Sequence, residues 1–265
     1  MRPELAKGFQ ILQAYLRLHL LTAAQYPAGL AVRLLGNLLN DATWLAFWWL
    51  MFHRFTSLRG WEVRDVFVLW SVCGLGFSLA SGFTGNFMEL ARIVSEGGLD
   101  YYLQAPGPPL FHLLVSRMEV ESWLEAAFWA AVFAVFVSPA PAAIGLYLAA
   151  SAMVGAVFAS VGVLAGSLAF VAGSAEGLAR EVVNVFVTLA TYPPVIFRGA
   201  ARVLIFTLIP AGFVSLLPVE LIRSPGWLPL ALLAGFSSAM VGAAWLAFHS
   251  GRRSYESGSV VRLRL

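Results

Sequence analysis

The sequence predicts an all-α, polytopic membrane protein. It has six transmembrane helices, an N-terminal interfacial amphipathic helix and an outer re-entrant hairpin before the last helix. Three observations carry that prediction. The 265 residues are 60% hydrophobic and only 12% charged, about half the charged fraction of an ordinary soluble domain. Apolar runs of about 18 residues or more recur, each long enough to cross roughly 30 Å of hydrocarbon. The ten-residue alternation of a transmembrane barrel strand is missing. One character persists from end to end, so residues 1–265 read as a single membrane domain. The net charge of +3 gathers in the ends, which suits lipid headgroups and not nucleic acid.

Residues 1–22 mix leucines with Arg2, Glu4, Lys7 and Arg17 and lack the unbroken apolar core of a signal peptide. Leu5, Phe9, Leu12, Leu16 and Leu20 form one helical stripe, with Lys7, Gln10, Gln13 and Arg17 elsewhere. Such a helix lies in the membrane interface or packs on other protein. Spans follow at about Ala28–Phe52, Val66–Phe83, Val120–Val137 and Ala142–Val171, then from Val182, and last at Leu228–Phe248. His53, Arg54, Arg59, Glu62, Arg64 and Asp65 make the first link polar. Ser138-Pro139-Ala140-Pro141 is an uncharged hairpin, and Glu176, Arg180 and Glu181 mark a second polar turn.

Residues 182–222 fit two spans, or one span and a hairpin that dips in and returns. Pro193, Pro194, Pro210, Gly212 and Pro218 break the run. The positive-inside rule separates the two. Six spans with the N-terminus inside place Arg2, Lys7, Arg17, Arg92, Arg117, Arg180, Arg252, Arg253, Arg262 and Arg264 in the cytosol. Arg54, Arg59, Arg64, Arg198, Arg202 and Arg223 then lie outside, ten against six. Seven spans give seven inside and nine outside. Residues 193–222 are therefore read as an outer re-entrant hairpin, which needs protein or a water-filled cavity around its backbone. The tail, 250–265, is cytosolic with the N-terminus.

That topology makes residues 84–117 a cytosolic loop. Asn86 and Glu89 predict a capping box, and Phe87, Leu90, Ile93 and Val94 give the helix an apolar side. Gly97 and Gly98 end it. Asp100 caps a further short turn through Tyr101, Tyr102 and Leu103. Pro106, Pro108 and Pro109 stop that turn and restart the chain at the foot of the third span. The product is a stiff elbow with two exposed tyrosines, the residue type that anchors partner proteins. Physics alone equally allows a structured loop without a partner.

Ionisable groups inside spans are functional candidates by default. Arg33, Asn37 and Asp41 are four apart on the first span; Asp41 either lines a path or pairs with Arg33 or a neighbouring helix. Arg117, Glu121 and Glu125 form a second row, in which the acids snorkel or pair with Arg117. Glu181, Asn184, Thr188 and Tyr192 share a face leading to Pro193-Pro194, the best candidate for a polar cavity wall. Ser151, Gly155, Ala159, Gly162 and Gly166 make a small-residue seam for close helix approach. Trp44, Trp48, Trp49, Trp61 and Trp70 read as interfacial belt residues.

Several chemistries lack their residues. Lys7 is the only lysine and no G-x-x-x-x-G-K-[ST] occurs, so P-loop ATP hydrolysis is excluded. His19, His53, His112 and His249 are scattered and form no H-E-x-x-H. Cys73 is the single cysteine, which rules out an intrachain disulfide or a cysteine metal site. No G-x-S-x-G is present. The expectation is no catalytic residue, no metal and no cofactor of its own.

"SEGGLDYYLQAPGPPLFHLLVSR", Ser95 to Arg117, resembles the signature of type-2 ABC exporter permeases, in which a glycine, Leu-Asp, Tyr-Leu and a proline follow the second span. "TYPPVIF", Thr191 to Phe197, is similar to that family's Tyr-Pro element in the fifth span. "FTLIPAGFVSLLPVELI", Phe206 to Ile222, resembles its outer hairpin, and "RRSYESGS", Arg252 to Ser259, its tail. The resemblance implies a permease subunit in a bacterial inner membrane, paired with a second permease subunit, identical or related. It also implies ATP-binding subunits, which hold the ATP and dock on the loop after the second span. Gly98, Leu99, Asp100 and Pro106 carry over to that docking loop; Glu96, Gly97, Tyr101 and Tyr102 complete the candidate coupling surface. Asn37, Asp41, Asn184, Thr188, Tyr192, Pro193 and Pro194 are the candidate path. The rival is a stand-alone secondary transporter or channel using Asp41, Glu121 or Glu125 as a proton relay, although the halves show no inverted repeat.

Overall fold

The computed structural model describes residues 2–105, 107–137, 140–173 and 175–255. Pro106, Ser138, Pro139, Ser174 and residues 256–265, with the expectations placed on them, lie outside the described residues. Among the described residues the elements are helical, apart from one isolated bridge between Leu58 and Trp61.

The chain opens with α1 (Arg2–Gln25) and, after Tyr26, α2 (Pro27–Arg54), which Pro27 starts at a position where no backbone donor is lost. Next come α3 (Val63–Thr84), a 3-10 turn (Gly85–Met88), α4 (Leu90–Ser95), α5 (Leu99–Gln104) and α6 (Pro109–Val115). Then follow α7 (Val120–Val132) with a π-turn (Phe133–Val137), α8 (Pro141–Gly166), α9 (Ala169–Ala172) and α10 (Glu176–Ala190). The last are α11 (Ala200–Phe206), α12 (Ala211–Arg223) and α13 (Trp227–Gly251).

Helix α3 is the axis of the bundle. Residues Val66 to Cys73 are buried without a break, because α7, α8 and α12 cover it on several sides. Glycine makes the closest of these approaches. A Cβ on Gly155 would stand 2.6 Å from the Gly76 carbonyl oxygen, and one on Gly76 would stand 2.9 Å from that of Ser151. The α8 seam read from the sequence is therefore an internal α3–α8 contact. Its lower glycines serve the next segment: Gly162 leaves room for Phe87, and Gly166 for Leu90. On the opposite face of α3, Gly74 accepts the Trp129 indole and Gly82 that of Trp123. At the far end of α8, Tyr147 stacks on Phe133 at 3.8 Å.

The two ends of the bundle are held differently. At one end Arg223 of α12 donates to Asp65 of α3 at 2.6 Å and to Gly60 O at 3.0 Å, while its guanidinium lies 5.3 Å from the Trp61 ring centre. Arg59 donates to Val195 O at 2.8 Å. At the other end Glu89 meets Arg92 at 2.8 Å, Arg117 at 3.6 Å and Arg180 at 3.7 Å. Arg59 and Arg223 thus lie at one end and Arg92, Arg117 and Arg180 at the other.

Among the described residues four helical stretches are long and apolar enough to cross a membrane: Val63–Ser95, Val120–Val137, Ala143–Ala172 and Trp227–Ser254. A fifth results if α11 and α12, bent by 79°, count as one broken span. Helix α2 has the length, but Arg33, Asn37, Asn40 and Asp41 dilute its apolar character; α10 has only 15 residues.

Several local expectations are corrected. Asn86 makes no capping box; it sits in the 3-10 turn and donates to Leu113 O at 2.9 Å and Ser116 Oγ at 2.7 Å. Asp100 lies inside the first turn of α5, whose cap position is Gly98. Glu176, Arg180 and Glu181 begin α10 instead of forming a turn before it. Helix α12 runs through Pro218. Trp48, Trp61 and Trp70 are buried in the core and not in a belt. Leu20 is exposed, because α1 turns Tyr15 and His19 towards α6 instead.

Gly155→Val is expected to destabilise the bundle by about 1–3 kcal/mol through overpacking, read as a lower thermal midpoint in detergent. Gly145→Ala, with nothing within 4 Å of the new Cβ, is expected to leave that midpoint unchanged or raise it slightly.

Candidate functional site

Two places gather the predicted residues: an elbow beneath the bundle and a cavity inside it.

The elbow is built from α4, α5 and α6. Phe87, Leu90, Ile93 and Val94 are all buried, so the apolar side of α4 faces the bundle, against α8. Gly97 reverses the chain at φ +80°, a backbone region that favours glycine. Gly98 has ordinary dihedrals; a Cβ there would sit 3.3 Å from Ile93 O. Leu99 then plugs the core with no exposed surface. Glu96 stays on the surface and pairs with Arg92 at 2.7 Å.

The two tyrosines part company. Tyr101 is 64% exposed. Tyr102 is half-buried and shares a hydrogen bond with Ser116 Oγ at 3.0 Å, so it belongs to the internal scaffold. Ser116 Oγ also donates to Leu113 O at 2.8 Å. Gly85 N donates to Arg117 O at 2.9 Å, and Glu119 N to Ser81 O at 3.3 Å, closing the elbow onto the end of α3. Helix α1 braces it from outside: Tyr15 and His112 Nε2 are 2.7 Å apart, and His19 reaches Ser116 O at 3.0 Å. Burial pulls the His112 pKa below the ordinary histidine range. Past the end of α13, Tyr255 comes close to Asp100; burial, then the Asp100 charge, pushes its hydroxyl up to about 12.

The cavity, of about 360 Å³, lies between α2, α3, α7 and α10. Each helix presents one stripe at helical spacing: Asn37, Asp41 and Trp44; Trp70, Cys73, Gly74 and Phe77; Ser122, Glu125 and Trp129; Thr188, Thr191 and Tyr192. Asn37 Nδ2 donates to Glu125 at 3.0 Å across the space. Tyr192 stands edge-on to Trp44 and Trp48, so α2 and α10 meet there. Cys73 Sγ is 3.7 Å from Ala190 O on the opposite helix.

Of the predicted path residues, Asn37, Asp41, Thr188 and Tyr192 line this cavity together. Asn184 is exposed elsewhere on α10, and Pro193 and Pro194 are buried beside the cavity without lining it. Glu181 faces a separate apolar groove between α8 and α10. Arg33 pairs with Glu121 at 2.6 Å and not with Asp41. Arg117 serves Glu89 and Glu119 and not Glu121 or Glu125, because it precedes α7 and turns back towards α4. Sequence reasoning missed Asn40, Glu119 and the aromatic walls; the i, i+3 and i+4 rows on α3 and α7 were visible, but not which row faces which.

Among the described residues no group of three or more His, Cys, Asp or Glu could hold a metal ion. Among comparisons with known proteins, the family described as "ABC-2 family transporter protein" matches residues 38–259. No curated protein and no solved structure matches the chain.

The lowered His112 pKa carries a pH dependence. The folded state binds fewer protons there than the unfolded chain, so the contribution is present above about 6.5 and is lost as the pH falls below it. The protection of α1 amides, corrected for the intrinsic pH dependence of exchange, is expected to fall on acidification from pH 7 to 5, and His112→Gln is expected to flatten that response.

Proposed function

The chain belongs to the ABC-2 transporter family, and from that premise we propose that it is the membrane subunit of an ATP-driven exporter, worked by a separate ATP-binding subunit. It is a permease subunit; the direction of transport and the pairing described next are part of the proposal. In this reading α2, α3, α7, α8, α10 and α13 cross the membrane and α11–α12 form an outer re-entrant hairpin. Both ends of the chain and the elbow face the cytosol, in the inner membrane of a bacterium. Helix α1 lies in the interface against lipid. Two such subunits, identical or related, enclose the pathway.

One observation carries the reading. The elbow is a rigid foot, joined to α3 and α7 and seated on α8, that still leaves Tyr101 and Leu103 exposed. A docked protein that pushes on that surface moves three crossing helices together. ATP binding next door biases the bundle only through its different affinity for the two arrangements. Arg92, Arg117 and Arg180 at the elbow end support a cytosolic location. The proton-relay reading has less support, because Arg33 occupies Glu121 at 2.6 Å and interrupts the row from Asp41 and Glu125.

Asp100→Arg, or bulky residues at Gly97 and Gly98 together, are expected to abolish ATP-dependent export and stimulation of the partner's ATPase. Membrane insertion should remain intact. Transport at the unmodified rate would count decisively against the coupling role. Orientation is checked separately. Tyr101→Cys in a Cys73→Ser background should react with an impermeant thiol reagent in inverted vesicles and not in intact cells. Labelling of intact cells would reverse the topology.

A further inference from the structure

We infer that the cavity between α2, α3, α7 and α10 binds an amphiphilic organic cation, held by the Asp41 carboxylate within walls of aromatic rings. The inference rests on the transport reading and names the class of cargo that this cavity takes.

Charge is the first argument. The charged side chains on the cavity wall are Asp41, Glu119 and Glu125, and among the described residues no lysine, arginine or histidine lines it. Arg33, on the same helix as Asp41, is committed to Glu121. Glu119 has Arg117 at 3.3 Å. Glu125 accepts from the Asn37 amide at 3.0 Å and also meets Trp129 and Asp41 itself. Asp41 is the least provided for. It is 8% exposed, its Oδ1 has Asn40 at the long distance of 3.5 Å, and its Oδ2 is buried with no hydrogen-bond donor. A buried carboxylate left in this state is costly, and either a proton shared with the neighbouring Glu125 or a positive group completes the site.

The walls say what kind of positive group. Trp44 and Trp70 stack at 5.7 Å, Trp70 lies 6.2 Å from Trp129, and Tyr192 stands 6.3 Å from Trp44. Indole and phenol faces attract organic cations, most strongly when both are out of water. A proton satisfies the carboxylate but gives the rings no role. A bare metal ion lacks a ligand set here and would leave most of the 360 Å³ unfilled. A small quaternary ammonium or similar cation with an apolar body meets the acid, the rings and the volume together.

The test uses benzyltrimethylammonium and its uncharged carbon isostere, neopentylbenzene, which has the same shape. Equilibrium binding is measured on the full chain in lipid nanodiscs. The cation is expected to bind about tenfold tighter than the isostere or better. Asp41→Asn is expected to remove that preference and Asp41→Glu to retain most of it. Trp44→Leu, at a half-buried position, is expected to narrow it several-fold. Equal binding of the two probes, or an unchanged preference in Asp41→Asn, overturns the inference. If Asp41→Asn does not fold, an undiminished preference in Trp44→Leu overturns it instead. Flux in the presence of the ATP-binding subunit separates this inference from the transport reading. Cation preference without ATP-dependent movement sinks the exporter reading and keeps the site. ATP-dependent movement of other cargo without that preference does the reverse.

Discussion

The contact on which the rest depends is the close approach of α3 and α8 at Gly76 and Gly155. In a bilayer, apolar side chains gain little by leaving lipid for protein, so helices associate where backbones can come near enough for dense van der Waals contact. Glycine on both sides of the crossing provides that proximity. Once α8 is fixed on α3, Gly74 and Gly82 on the other face receive the tryptophans of α7. Helix α12 closes over the remaining side, where Val214, Leu217 and Leu221 are buried. A larger residue at the crossing would disturb all of these neighbours, since each takes its position from α3.

The same seam runs on past the span into the elbow. Phe87 and Leu90 rest in the notches at Gly162 and Gly166, so the elbow is an extension of the membrane packing and not an appended loop. Glu89, 15% exposed at its side chain, then joins Arg92 on its own helix to Arg117 ahead of α7 and Arg180 of α10. Most exposed ion pairs are worth little. This one gains from its partial burial and from the shared acceptor, and its value lies in fixing direction: α4, the start of α7 and α10 cannot shift independently without uncovering a carboxylate.

Much of this was legible in residue spacing. The small-residue seam and the row Asn37–Asp41 follow from helical period, and the elbow within residues 84–117 from its glycines and prolines. What was hidden depended on partners from distant helices. Asn86 and Glu89 have the spacing of a capping box, yet the Asn86 side-chain NH2 donates to Leu113 O and Ser116 Oγ, which fixes that side chain on α6. Trp70 has the composition of a belt residue, but the stripe it shares with Cys73 and Phe77 turns it inward. Asn184 obeys the polar stripe of α10 and still misses the cavity, because that helix faces α8 with Val183 and Phe186. The six-span topology is in the same position: charge bias suggests it, while length and apolarity give four or five candidate spans among the described residues.

Arg223 anchors the end of α3 remote from the elbow, through Asp65, and so gives that helix a fulcrum. From Asp65 to Gly74 is about 14 Å along the axis and to Thr84 about 29 Å, at 1.5 Å per residue. Any sideways displacement of the elbow therefore reaches the level of the cavity at about half its size. In the proposed coupling α3 would act as a reducing lever: a long stroke below would become a short, more forceful one between the tryptophans.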